Sequence, residues 1–261
     1  MKYIDDPQGQ PVAGRPLGPD DTFRFHCHNQ LACFNRCCHN LNLFLYPYDV
    51  LRLKRNLGIS SDQFIEGYVD VVLRQANHFP EVVLRMAASE KAPCPFLTPQ
   101  GCGVYPDRPH TCRLFPLEQG ARYEAATGRT EAVYFFRPPE LCLGPGEDRP
   151  LTVAAYIQEQ AAQAYEPLTM AWAEVRRLFQ NDPWGVEGPQ GSKAKMAFMA
   201  AYNLDRFREF LFGSTFLKRY RVPPALVKKM RGDDEALLSF GFEWIRSFVW
   251  GIASPLIRPK R

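Results

Sequence analysis

Several familiar signatures are missing from this chain. It has no GxGxxG, no phosphate-binding loop, no HExxH and no GxSxG. None of the chemistries those motifs carry is indicated, and no residue is assigned a catalytic role. The start, MKYIDDPQGQPVAGRP, lacks the apolar run of a secretory signal. The most apolar late stretch, Ser247 to Ile257, is too short to span a bilayer and follows Glu243 and Arg246. The expectation is a cytoplasmic protein with no membrane span. An excess of one charge is lacking too. The net charge is +4, the charges are interspersed, and the only basic run is Arg258-Pro259-Lys260-Arg261. Eight metal-bound thiolates would cancel that excess, so no nucleic-acid partner is expected. There is no internal repeat.

Cysteine is what the chain does have, and only in its first part. Cys27, Cys33, Cys37, Cys38, Cys94, Cys102, Cys112 and Cys142 account for all 8, and no cysteine follows. In a reducing compartment such a pattern reads as metal-binding or catalytic, whereas four disulfides would need an oxidising one. Proline is abundant at 23 and concentrated before residue 151, which makes the first half loop-rich. Loops without ladder hydrogen bonds need another restraint, and metal–thiolate bonds supply one.

Read in order, residues 1–22 form an extended lead-in, crowded with proline and glycine from Pro7 to Gly18. The first ordered element is expected near Phe23. Residues 29–40 suit a short helix, which would set Cys33 and Cys37 on one face and turn Cys38 about 100° away. An extended segment would instead send Cys37 and Cys38 to opposite faces. Either way, two neighbouring cysteines can serve two places, a reason to consider two centres. Pro47 at a helix start and Gly58 as a stop bracket a helix over 48–57. Ser60-Ser61-Asp62-Gln63 caps a second helix through Phe64, Ile65, Tyr68, Val69 and Val72. Residues 80–88 suit a strand, 94–118 a proline-broken loop, and 121–136 a hairpin turning at Ala126-Thr127-Gly128. From Leu151 the pattern is helical: two helices broken or kinked at Pro167, a loop over 181–191, helical spacing of Met196, Met199, Leu204, Phe207 and Leu211, and a last helix over 233–250.

Thiolate is a soft ligand, suited to zinc, copper(I) or iron–sulfur. The spacing Cys-x5-Cys-x3-Cys-Cys, then Cys-x7-Cys-x9-Cys, has neither the paired CxxC knuckles of zinc ribbons nor a ferredoxin run. All-sulfur candidates, with Phe25, Phe34, Leu43, Phe96 and Phe115 beside them, favour an iron–sulfur cluster, with zinc as the alternative. Arg36, Arg108 and Arg113 are placed to offset the cluster's negative charge or to donate hydrogen bonds to it. His26, His28, His39 and His110 also lie near cysteines and are further ligand or donor candidates.

At FHC (25–27), CFNRCC (33–38), CPFL (94–97), GCGVYPDRPHTCRLFP (101–116) and LCLG (141–144), the chain resembles the YkgJ-like cysteine-cluster family, whose CxxCxxCC domain is named for zinc or iron chelation. The likeness covers about residues 23–150. The family's first block is more compact, and here His28–Ala32 and Phe34–Arg36 widen its gaps. The cysteine cluster is also similar to that of flagellin lysine N-methylases, and that likeness implies a protein-modifying role. No separate methyl-donor motif is present.

The expected fold is α+β, mainly α: an irregular cysteine-rich metal-binding domain with short strands over 23–150, then a C-terminal helical extension over 151–261. The expected function is that of a metalloprotein with one or two iron–sulfur clusters in an electron-transfer or enzyme-supporting role, working with a redox or other protein partner. Two alternatives stand beside it. One is a zinc-stapled interaction module. The other is a cluster-dependent protein-modifying enzyme.

Overall fold

The computed structural model describes residues 2–4, 14–74, 77–124, 126 and 129–260. It is α+β and mainly helical, with short strands in several small sheets. Order begins earlier than Phe23. Strand β1 (Lys2–Ile4) precedes β2 (Thr22–Arg24), while residues 5–13 of the expected lead-in lie outside the described residues. By contacts the chain divides into two compact units, each discontinuous in sequence. One contains 14–43 and 84–170 and carries every cysteine; the other contains 2–4, 44–83 and the chain from Ala171 on.

The second unit begins with β1 and continues through β3 (Phe44–Leu45) into α1 (Pro47–Leu57). Proline fits the first helical turn because its missing N–H would be unpaired there. The Asp49 carboxylate accepts the Tyr46 amide at 2.8 Å, and Gly58 ends the helix at φ 65°. Helix α2 (Ser61–Tyr68) has the expected capping box: Ser60 Oγ accepts from Gln63 N, and Gln63 Oε1 accepts from Ser60 N. It is shorter than the spacing predicts. At Val69 the chain becomes β4 (Val69–Arg74), pairing with β1 in parallel and lying beside β5 (Asn77–Leu84). Val69 and Val72 are β-formers that bury in a sheet as well as they would on a helix.

In the cysteine unit, β6 (Leu97–Thr98) pairs with β7 (Gly101–Cys102), α3 (His110–Leu114) follows, and β8 (Leu117–Glu124) pairs with β9 (Arg129–Phe136) as the expected hairpin. Of its proposed turn, Thr127 and Gly128 lie outside the described residues. Then β10 (Pro150–Thr152) pairs antiparallel with β2 and runs into α4 (Val153–Glu159), capped by Thr152 Oγ1 on the Ala155 amide at 3.1 Å. The core of this unit is Phe23, Phe25, Leu114, Leu117, Tyr134, Val153, Tyr156 and Ala162. Tyr156 sits edge-on to Phe23 and Phe25, with centroids 5.4 and 5.9 Å away.

The break predicted at Pro167 falls earlier. Ala161 takes a left-handed φ of 51°, and α5 (Glu166–Leu178) starts just before Pro167, where proline fits the first turn. Beyond it come α6 (Ser192–Tyr202), α7 (Leu204–Gly213), α8 (Phe216–Arg219), β11 (Tyr220–Arg221), α9 (Pro224–Met230), α10 (Asp234–Trp250) and β12 (Arg258–Pro259). The Asp233 carboxylate caps α10 by accepting from Glu235 N and Ala236 N, both at 2.9 Å. The buried stripe of α6 is made by Ala194, Ala197, Ala200 and Ala201, while Met196 and Met199 are half-buried. Small residues let backbones approach: a Cβ added at Gly241 of α10 would lie 2.2 Å from the Ala200 carbonyl oxygen. The same unit buries Glu81 between Arg74 at 2.8 Å and Arg176 at 2.7 Å.

Candidate metal centre

The first cysteine stretch is held by its pairing with the segment before α4. Past the β2–β10 ladder, Phe25 N–H donates to Arg149 O and His26 N–H to Gly144 O, both at 3.1 Å. The buried Phe25 ring anchors this strand in the core. Beyond His28 the chain does not form the helix expected over 29–40. It coils through three-residue turns, with Leu31 N–H to His28 O at 3.2 Å, Phe34 N–H to Leu31 O at 2.9 Å and Arg36 N–H to Cys33 O at 3.0 Å. Asn35 adopts φ 65°, a left-handed conformation that ends any α-helix and that asparagine tolerates better than most residues. A single 3-10 turn, Arg36–Cys38, follows. With three residues per turn, successive side chains there point about 120° apart, so Cys37 and Cys38 face different directions.

Two further segments dock on this coil. Cys94 N–H donates to Cys38 O and Asn40 N–H to Ala92 O, both at 2.8 Å. Cys102 follows in β7, opposite Leu97, and Cys112 stands in α3. On another side, Leu143 N–H donates to Cys33 Sγ at 3.3 Å, which brings Cys142 alongside.

The electrostatics sort the eight thiols into two sets. Desolvation pushes Cys27 up, and the charges of Cys37, Cys33 and Cys142 push it further. Desolvation likewise raises Cys142, with Cys33 and Cys37 adding to the effect. Cys27, Cys33, Cys37 and Cys142 thus share one neighbourhood. Cys38 is raised by its hydrogen bond with Cys37, by burial, and by the charges of Cys37, Cys112 and Cys94. Cys94 is raised by burial and by Cys102, while Arg108 partly offsets the burial that raises Cys102. Cys38, Cys94, Cys102 and Cys112 form the second neighbourhood. The two meet at Cys37 and Cys38, whose sulfurs are 4.0 Å apart, and the bond from Cys38 pulls the Cys37 thiol down to about 7. Crowded thiols that raise one another accept a proton or a cation in place of mutual repulsion.

The three arginines differ. Arg36 is exposed. Arg108 stacks on the Tyr105 ring at 3.8 Å and donates to Tyr105 O at 2.8 Å and Gln160 Oε1 at 2.7 Å. Arg113 is buried, donating to Gln160 O at 2.6 Å, Pro106 O at 2.7 Å and Tyr165 Oη at 3.2 Å. The last two tie the loop around Cys102 and Cys112 to the segment after α4. Gln160 and Tyr165, their anchors, carry no sequence signal because they lie far along the chain without a motif.

Among the histidines, His110 is buried, 2.5 Å from Gln119 Oε1 through Nε2, and pushed down to about 4 chiefly by burial, so it is neutral at pH 7. His39 Nδ1 lies 3.1 Å from Asn35 O. His26 and His28 stack with centroids 4.9 Å apart, and His28 Nε2 lies 3.3 Å from Glu147 Oε2. Glu147 had no signal in the sequence. It reaches the histidines only because its loop pairs with the first cysteine strand.

Among the described residues, no helix is long and apolar enough to cross a membrane. Compared with known proteins, residues 26–142 match the model of the CxxCxxCC family, described as "Putative zinc- or iron-chelating domain". No curated protein and no solved structure matches the chain. The match starts one residue before Cys27 and ends on Cys142, so it encloses all eight thiols. Over these residues the chain is thus similar to the CxxCxxCC family, and the comparison supports a metal-binding protein.

Proposed function

We propose that the domain holds two iron–sulfur centres, one on Cys27, Cys33, Cys37 and Cys142 and the other on Cys38, Cys94, Cys102 and Cys112. The observation that carries this reading is the division of eight thiols into two sets of four, split between the adjacent Cys37 and Cys38. The donors suit the group, since both sets are wholly sulfur.

An iron–sulfur centre supplies one-electron storage and transfer. The chain's own residues supply the frame. Phe25 and Phe115 pack in the apolar core beside the first set, and Arg108 places positive charge near Cys102 in the second. Arg113 holds the loop that carries Cys112. The role that follows is electron transfer, or support of a reaction carried out with a protein partner.

The test is anaerobic purification followed by iron, zinc and acid-labile sulfide analysis and an absorption spectrum. Iron with sulfide and a band near ~400 nm is expected. A colourless protein with about two zinc per chain would overturn the redox reading and leave a zinc-stapled domain, the other metal in the family description.

A further inference from the structure

We propose a separate site for a single divalent transition-metal ion, formed by His26, His28 and Glu147. One ligand atom from each of the three lies within 4.8 Å of the other two, and the group is part-exposed. His28 Nε2 and Glu147 Oε2 are already 3.3 Å apart. Two ligands about 2.1 Å from one metal stand about 3.0 to 3.4 Å from each other, so this pair has ligand spacing before any ion arrives.

The backbone builds the site. The His26 and His28 rings lie side by side, with centroids 4.9 Å apart, on the segment just past β2. The loop opposite does double service, bringing Cys142 toward Cys33 and Glu147 toward His28. The two segments are fastened by His26 N–H to Gly144 O and Phe25 N–H to Arg149 O. Within the loop, Glu147 N–H donates to Gly144 O at 3.3 Å and Glu147 O accepts from Arg149 N at 2.9 Å. The nearby charges are otherwise engaged: Arg149 pairs with Glu159 at 2.8 Å, and Arg24 pairs with Asp148 at 3.2 Å. No cation needs to leave for a metal to enter between these three groups.

Two imidazoles and a carboxylate are the donor set of mononuclear sites that keep open positions for a further ligand. The ion taken is a first-row divalent metal of intermediate softness, such as Fe(II), Co(II) or Zn(II). The Gln30 amide donates to His28 Nδ1 across a long 3.3 Å, so Nε2 is the ring nitrogen turned toward Glu147 and the one that would take the ion. The inference does not depend on what the cysteines hold.

The test uses the full-length protein as purified, with its cysteine metal in place, and Co(II) as probe. After equilibrium dialysis, cobalt, iron, zinc and sulfide are counted per chain. About one cobalt per chain is expected, with no loss of the metal already present. Glu147→Gln, a half-exposed and near-isosteric change, and His28→Asn should each weaken cobalt binding at least ~10-fold, with unchanged iron, zinc and sulfide. Two outcomes overturn the proposal: no cobalt beyond displaced cysteine metal in the unaltered protein, or equal cobalt affinity in Glu147→Gln. Failure of the iron–sulfur reading would appear separately, in the iron and sulfide counts.

Discussion

Replacing Gly144 by alanine couples the core to the metal centre. A Cβ at this position would lie 2.4 and 2.8 Å from two carbons of the Phe25 ring and 3.1 Å from His26 O. Ordinary carbon contacts are about 3.5 to 4.0 Å, so something must move by about 1 Å. The ring has little room to yield, being 3% exposed and packed on Phe115 and Tyr156. The loop must therefore lift, or the core must loosen. Overpacking of this kind costs about 1–3 kcal/mol, a fall in melting midpoint of roughly 2–12 °C for a protein of this size. A lifted loop also carries Cys142 away from Cys33, where Leu143 N–H now sits 3.3 Å from the sulfur. Gly144→Ala is thus expected to melt lower and to lose metal from the Cys27–Cys142 set while keeping the other. The assays are a thermal melt and metal analysis on the same preparation. Unchanged stability together with unchanged metal content would refute the argument.

Other predictions concern the helical unit and acid stability. Gly241→Ala gains up to about 1 kcal/mol of helix propensity but drives a methyl to 2.2 Å from Ala200 O. The net is a loss of about 1–3 kcal/mol in denaturant unfolding, with metal content untouched. Glu81→Gln leaves Arg74 and Arg176 without their carboxylate and should cost about 3 kcal/mol by the same assay; a change under about 0.5 kcal/mol would show that the triad does not stabilise the fold. Burial raises the Asp205 carboxyl, but the Lys54 ammonium at 2.7 Å and the Ser61 amide outweigh it and hold the group below its ordinary 3.8. A depressed folded value means the contribution is complete above about pH 4 and fades as pH falls below it, so Asp205→Asn should flatten that part of a stability–pH profile.

The sequence made some of this architecture plain and left other parts hidden, for physical reasons. Helices α1, α2 and α10 announce themselves through local chemistry: Pro47 and Gly58, the Ser60–Gln63 box, and Asp233 as a cap. The hairpin of β8 and β9 is equally local. The segment 29–40 misleads because its composition permits a helix, while the left-handed turn at Asn35 is fixed by what docks on it. Val69 and Val72 look helical by spacing, yet pairing with β1 makes them a strand. The α6 seam was missed because alanine gives a weak hydrophobic signal, although its small size is what the contact with Gly241 requires. At the site, Cys37 and Cys38 raised the question of two centres. Which cysteine joins which set depends on long-range pairing, above all Leu143 to Cys33 and Cys94 to Cys38. Glu147 and Gln160 were invisible for the same reason.

The central claim is that the two adjacent cysteines serve different centres. The direct measurement is iron and acid-labile sulfide per chain in Cys37→Ala and Cys38→Ala, each beside the unaltered protein purified anaerobically. The account predicts that each variant loses about half of the iron and sulfide, and that the double variant loses nearly all of both. Equal loss of all metal in both single variants, or zinc in place of iron throughout, would contradict it.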